Sequence, residues 1–415
     1  MKLKLFKLIA IALLVCLFPL NTFADAPLRS IIIFGNTKTE RKTILSIINV
    51  EPRSYVDKRL LADVETRMSN SGLFKSVRIV TRANPDGTED LRINVVEKQL
   101  WFVVPIVSVG SGRYAFGAAF GESNLLMPNT GTLITAQGGN RMNRFFYALD
   151  SKNIFDSDMS LRFWTLVRKD FVPLYTDRVL SSEIVVKDVA ANIAPGFQWT
   201  NEIRTSYGIT YRYIDFGASA VVAEAGTKAH DVSMGFEFLY DSLKRKDGFI
   251  QGNLIKAGFE FSGPRFGSDY TYNMESVEWT HGMDLFKYLN HVLLFKGMIG
   301  DNLPFHRHIT MGNNNFRGFK ERQFRGDTQL FLRNDFLFPI FRQRLFTIFG
   351  LGFHDMALLY FDKDGIDQDS FNNGVGGGLR VSLSSILAPV FGLDFGYGIE
   401  NKSYELILAL GLVSF

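Results

Sequence analysis

The chain has 415 residues, of which 46% are hydrophobic and only 21% charged, and its net charge is +4. That is too apolar for a disordered polypeptide, and so weak a charge balance argues against nucleic acid as the main partner, which needs a clustered basic face. Phe (39) and Gly (37) are both high for a soluble enzyme and point to many short strands. Lys2, Lys4 and Lys7 form a basic start, residues 8–20 an apolar core, and Thr22-Phe23-Ala24 places small residues at the last and third-last positions before a cut. Residues 1–24 are therefore expected to be an export signal, cleaved before Asp25. The apolar core is too short for a spanning helix. The single cysteine, Cys16, lies in this leader behind Val15, where a lipoprotein signal would carry a small residue. A mature chain without cysteine has no disulfide, thiolate metal site or cysteine nucleophile.

Residues 25–98 read as a small α/β domain. A β-rich run from Leu28 to Phe34 ends at a Gly35-Asn36 turn. Thr37 with Glu40 fits a capping box opening a helix that carries Ile44, Ile47 and Ile48 on one face. Ser54 with Asp57 opens a second helix, striped by Leu60, Leu61, Val64 and Met68 and stopped by Gly72. Lys75 to Arg82 and then Leu91, Ile93 and Val95 alternate as two strands about an Asn84-Pro85-Asp86-Gly87 turn. The expected order is β-α-α-β-β. With Gly35-Asn36, the Gly72-Leu73-Phe74 corner followed by Val77, and the Val95-Val96-Glu97 exit, it resembles a POTRA domain, the polypeptide-transport-associated module. Phe74 would plug the core between helix and sheet.

From Trp101 helical periodicity gives way to short alternating segments broken by Gly, Asn, Asp and Pro. Phe391, Leu393, Phe395, Tyr397 and Ile399 oppose Gly392, Asp394, Gly396 and Gly398; Val232, Met234, Phe236, Phe238 and Tyr240 oppose Ser233, Gly235 and Glu237. Sixteen candidate strands begin near residues 101, 113, 131, 143, 159, 179, 205, 231, 249, 270, 290, 328, 344, 372, 390 and 403. Residues 99–415 are thus expected to form a transmembrane β-barrel of 16 antiparallel strands, apolar toward lipid and polar or Gly inside, because so wide a lumen cannot be filled by wall side chains. Trp101, Tyr114, Tyr240 and Tyr360 fit an interfacial girdle. Pro105 cannot donate a ladder hydrogen bond, so the first strand should make a weak seam with the last, near Gly411. The last strand is apolar on both faces, with Val413 and a terminal Phe415.

A long Gly/Asn/Arg-rich segment, about 301–327, separates strands eleven and twelve. It contains Gly312-Asn313-Asn314-Asn315-Phe316-Arg317-Gly318-Phe319 and Phe324-Arg325-Gly326-Asp327. Here the chain resembles the BamA/TamA superfamily of outer-membrane assembly and translocation barrels, the bacterial surface antigen family. The resemblance covers nearly the whole mature chain. It implies that Arg317-Gly318-Phe319 is a loop tip folded into the lumen. Arg317 would dock on Asp335 of strand twelve and on the aromatic-x-Asp pair Phe353-His354-Asp355 of strand thirteen. Desolvation makes an unpaired guanidinium costly, and two carboxylates with the Phe353 ring can meet it. Alternation turns Arg333 and Asp335 into the lumen. Asp355 shares its face with Phe349, Leu351 and Phe353, which leaves its direction open, and Arg325 offers a second arginine for the dock. His306-Arg307-His308 lacks a third ligand and reads as exposed loop rather than metal site.

What the resemblance implies is a non-enzymatic outer-membrane factor, without cofactor, metal or catalytic residues. Its POTRA domain would lie in the periplasm. Its partners would be the outer-membrane lipid bilayer, unfolded client outer-membrane or secreted polypeptides, and accessory periplasmic proteins. The alternatives are a secretion pore for a partner protein and a passive structural barrel or porin.

Overall fold

The structure, a computed structural model, describes residues 26–410 apart from 51–53, 72, 98–100, 124–129, 152–153, 155–156, 201, 247, 314, 344, 368–369 and 384–388. Residues 1–25, and with them the expected export signal, lie outside the described residues, as do Gly72, Gly411, Val413 and Phe415. The N-terminal sheet has the order β2-β1-β4-β3, built from β1 (Ala26–Phe34), β2 (Tyr55–Val56), β3 (Phe74–Ala83) and β4 (Glu89–Glu97). β1 runs parallel to β4, and β3 antiparallel to it, which leaves β3 at one edge. Helices α1 (Arg41–Ile48) and α2 (Lys58–Asn70) cover the sheet through Ile44, Ile48, Val64 and Met68, all fully buried against Phe74, Leu91 and Ile93. Two-residue β2 makes the order β-α-β-α-β-β rather than the expected β-α-α-β-β. It is too short to carry a periodic signal.

Two local devices differ from the sequence reading. The capping box is not formed: Glu40 is the N-cap of α1, and its side chain caps nothing. Thr37 instead gives its backbone N–H and its hydroxyl to Glu97 (3.1 and 2.7 Å), which also accepts from the backbone N–H groups of Lys38 and Thr39. α2 is capped by Asp57, which accepts from the Leu60 N–H at 2.6 Å, and not by Ser54. Gly35 sits at φ +85, and a Cβ there would lie 2.1 Å from the Val95 carbonyl oxygen. Only glycine lets the turn press on the sheet. Partial burial works against the Glu97 charge, but the N–H and hydroxyl donors of Thr39, Thr37 and Lys38 outweigh it and hold the carboxyl below its ordinary 4.5. A depressed acid stabilises above its unfolded pKa and loses that contribution as pH falls through the folded value. Glu97→Gln is expected to speed amide exchange at Thr37–Thr39 at neutral pH and to leave little further loss between about pH 5 and 3. Wild-type exchange rates in the variant would remove the clasp.

Sixteen strands close the C-terminal sheet: β5 (Trp101–Gly110), β6 (Arg113–Ser123), β7 (Thr130–Gly139), β8 (Met142–Ser151), β9 (Met159–Thr176), β10 (Val179–Gln198), β11 (Ile203–Phe216), β12 (Lys228–Asp241), β14 (Phe249–Ser262), β15 (Tyr272–Phe286), β16 (Leu289–Asp301), β19 (Thr328–Arg342), β20 (Phe346–Tyr360), β21 (Phe371–Leu383), β22 (Pro389–Gly398) and β23 (Ser403–Leu410). All neighbours are antiparallel. β13 (Lys244–Lys246) pairs only with β14, and β17 (Ile309–Met311) with β18 (Phe324–Gly326) forms a separate hairpin within the long loop. Every strand starts within three residues of its expected position. Alternation decides the faces: Val103, Phe116, Val189, Tyr207, Phe395 and Leu406 are exposed on the outside, while their sequence neighbours turn inward. Trp101 and Tyr114 stand exposed at opposite ends of the first hairpin, as a girdle requires. Below, the lower rim is the one where β5 begins and the upper rim its opposite. Among the described residues no helix is long and apolar enough to cross a membrane.

The inside is not the polar channel expected. Leu337, Phe349, Leu351 and Phe353 point inward and bury themselves with Leu243 and Phe249 from the lower turn around β13. Phe316, Phe319, Phe331 and Leu359 form a second apolar cluster near the upper rim. A lumen wide enough to hold a loop can be filled by that loop, and wall positions that face it become core.

Candidate functional site

The filling is residues 302–327, the upper connection between β16 and β19. Its tip bends at Gly318 (φ +93), a left-handed turn closed by the Asn313 N–H donating to the Phe319 carbonyl at 2.8 Å. The turn drives Arg317 into the barrel, where it is 2% exposed and is the largest fully buried side chain described. Its Nε donates to Asp355 Oδ2 (2.9 Å), and Nη2 to Asp355 Oδ1 and Asp335 Oδ1 (both 2.6 Å). The Arg317 backbone N–H also donates to Asp355, at 3.1 Å. The guanidinium lies 3.7 Å from the centroid of the Phe353 ring. Asp355 therefore points inward, which settles the direction that alternation left open. Its apolar face-mates face the lumen filling, not lipid.

Two features that no motif marks complete the dock. Arg333, one rung from Asp335 on β19, donates to both oxygens of Asp355 (3.1 and 3.2 Å). Two guanidiniums thus meet two carboxylates, and the buried cluster is neutral as desolvation demands. The other is a floor of glycines on β21 and β22. A Cβ on Gly374 would lie 2.1 Å from the Arg317 carbonyl oxygen, and one on Gly396 2.5 Å from the Gly318 nitrogen. Bare backbone at these inward positions lets the tip lie flat on the wall. Phe319 stacks on Phe316 with centroids 4.4 Å apart, and the Ser403 hydroxyl donates to the Gly318 carbonyl at 3.0 Å.

Arg325, the competing arginine, stays outside the dock: its guanidinium lies 4.1 Å from the Phe305 ring centroid. The stretch 306–308 is not exposed loop, as the sequence suggested. His306 is buried with Nε2 2.8 Å from Asp231, and Arg307 is paired with Glu260 at 2.5 Å. The loop carries them into the lumen, where wall carboxylates meet them. Among the described residues no cluster of metal-binding side chains occurs.

Past the tip, the loop crosses the seam. Ser111, in the turn after β5, gives its N–H and hydroxyl to Glu405 of β23 (3.2 and 3.1 Å) and accepts the loop's Glu321 N–H at 3.1 Å. Arg113 pairs with Glu321 at 3.3 Å, and Arg322 with Asp170 of β9 at 2.6 Å. Among the described residues β23 meets β5 over three pairs only, Leu408–Val109, Ala409–Ser108 and Leu410–Val107. Pro105 lies below that paired stretch, still matched to Ala118 of β6. On its inner face β23 carries Glu405, Ile407 and Ala409, and Ile407 is buried, so the apolar pattern on both faces reflects lipid outside and packing within. A cavity of about 500 Å3 lies behind the seam, lined by Ser108, Ala409, Arg113, Arg144 and Arg322. In the N-terminal domain, Phe74 is buried and Val77 packs on the same core, with Gly35 and Asn36 at the turn above them.

The model of the Omp85 superfamily domain matches residues 128–406, and that of the POTRA domain, described as the surface antigen variable number repeat, matches residues 26–98. Among curated proteins none matches the sequence. Among solved structures, the fold is similar to BamA from Haemophilus ducreyi lacking POTRA domains 1–3, at 13% identity and a TM-score of 0.60, over 93% of this chain and 84% of that one. It is also similar to CdiB from Escherichia coli, at 14% identity and a TM-score of 0.66 over 93% and 77%, and to CdiB from Acinetobacter baumannii, at 12% and 0.63 over 94% and 74%. At these identities the likeness is one of fold.

Proposed function

Because the chain belongs to the Omp85 superfamily, with its barrel in the outer membrane and its POTRA domain in the periplasm, we propose that it assists the insertion and assembly of client polypeptides in that membrane. The observation that carries this reading is the filled lumen: a buried, charge-neutral dock holds the loop inside the barrel, and the same loop ties β5 to β23 through Ser111, Glu405 and Glu321. Client strands would then enter through the wall rather than the bore. The sheet edge at β3 leaves its outer hydrogen-bonding groups without a neighbouring strand, and it supports capture of an extended client by strand addition. The chemistry is non-covalent. Edge pairing and lipid packing supply the driving force, and no side chain acts as acid, base or nucleophile. A secretion pore or passive porin would need the loop withdrawn, at the cost of separating buried charges. Accessory periplasmic proteins would deliver clients to the N-terminal domain. Depletion of the protein followed by a census of outer-membrane proteins is expected to show selective loss of a subset of barrels. An unchanged census with one secreted protein retained in the periplasm would favour the secretion pore.

A further inference from the structure

The outer wall carries a second feature that the insertion reading does not use. Strand register sets Asn143 (β8), Lys169 (β9), Lys187 (β10), Asp215 (β11) and Lys228 (β12) side by side on one rung, all facing outward. The three lysines are exposed. Below this rung the outward positions of β9 to β12 hold no Asp, Glu, Lys or Arg: Val167 and Phe163, Val189 and Ile193, Tyr211 and Ile209 are typical, with His230 one step below Lys228 the single titratable imidazole among them. From Lys187 down to Phe197 the strand covers ten residues, about 25 Å along the membrane normal for a tilted strand, which is the height of an apolar belt. The rung therefore lies at the upper margin of the belt, at the level of the outer-leaflet headgroups.

Its charge is unbalanced. Lys169 and Lys187 are direct cross-strand partners, and like charges so placed repel unless an anion lies between them. Asp215 accepts from Lys187 at 3.3 Å and also stands opposite Lys228, so the rung holds one carboxylate to three ammonium groups, and Lys169 is not beside it. One step higher, Lys169 approaches the outward Phe171 ring to 5.6 Å, with Arg141 5.7 Å from the same ring; Arg141 itself is bonded to Glu183. The basic character is local. At the upper ends of β15 and β16 the outward positions are Asn273, Glu275 and Asp301.

We infer that the Lys169–Lys187–Lys228 rung binds the phosphate groups of an anionic glycolipid in the outer leaflet, fixing the β8–β12 side of the barrel in that leaflet. The phosphate bridges Lys169 and Lys187, and the acyl chains lie on the uncharged wall beneath. The test reconstitutes the full barrel in zwitterionic phospholipid vesicles and measures binding of a fluorescent bis-phosphorylated acylated glucosamine disaccharide by energy transfer. Wild type is expected to prefer it to its dephosphorylated form by an order of magnitude or more, and a K169Q/K187Q double variant to lose about that factor. A K169R/K187R variant, which keeps both charges, is expected to retain binding. Equal binding of the dephosphorylated lipid to wild type would overturn the assignment without any variant. So would undiminished binding by a double variant whose heat-modified gel mobility shows a closed barrel. Complete displacement of the lipid by low-millimolar inorganic phosphate would also overturn it, since it would mark a free-anion site.

Discussion

Replacing Arg317 by alanine is expected to release the lumen loop. The substitution leaves Asp355 to Arg333 alone and strips Asp335 of its guanidinium, with both carboxylates buried. Breaking a buried pair by removing one partner costs about 3–5 kcal/mol, and among the described residues the tip around Gly318 is otherwise held by the packing of Phe316 and Phe319 and by single hydrogen bonds, the loop's other ion pairs lying away from it. Proteolysis between 302 and 327, slow in the wild type, should become fast, and heat-modified mobility should shift. Arg317→Lys should rescue little. An ammonium cannot give the fork that reaches Asp355 and Asp335 together, nor lie flat on Phe353. Gly374→Val should reproduce the release from the other side, since a Cβ there would lie 2.1 Å from the Arg317 carbonyl oxygen. A protected loop in both Arg317→Ala and Gly374→Val would show that the dock is incidental to the filling.

Locking the seam is expected to abolish client insertion while leaving the barrel folded. Ser108 and Ala409 are direct partners across β5 and β23, and cross-strand Cα separations of about 4.5–5.5 Å suit a disulfide. With Cys16 the sole native cysteine, the pair Ser108→Cys and Ala409→Cys can be oxidised without competitors once Cys16 is replaced by serine. Insertion of a client into vesicles should fall to the rate of protein-free vesicles when oxidised and return on reduction. Full activity of the oxidised protein would remove the seam from the mechanism. The latch through Ser111, Glu405 and Glu321 predicts the complementary effect. Glu405→Gln weakens the charged tie between β23 and the first turn, and should raise insertion or make the seam leakier.

The sequence alone settled the broad plan, because alternation with period two is written in adjacent residues. It placed sixteen strand starts and put Asp335 on the inner face; the resemblance to the BamA/TamA superfamily marked Arg317-Gly318-Phe319 as a tip. Tertiary structure decided what lies inside. Phe349, Leu351 and Phe353 look like lipid-facing residues in a list, yet they turn inward because a loop and a lower hairpin take the place of lumen water. That same filling buries His306, chooses Arg317 over Arg325 and recruits Arg333, a residue with no motif around it. It also gives the glycines of β21 and β22 their purpose: each is unremarkable in sequence, and together they leave bare backbone for the loop tip to rest on. Periodicity reports which side of a strand a residue occupies; what covers that side depends on segments tens of residues away, and only their packing supplies it.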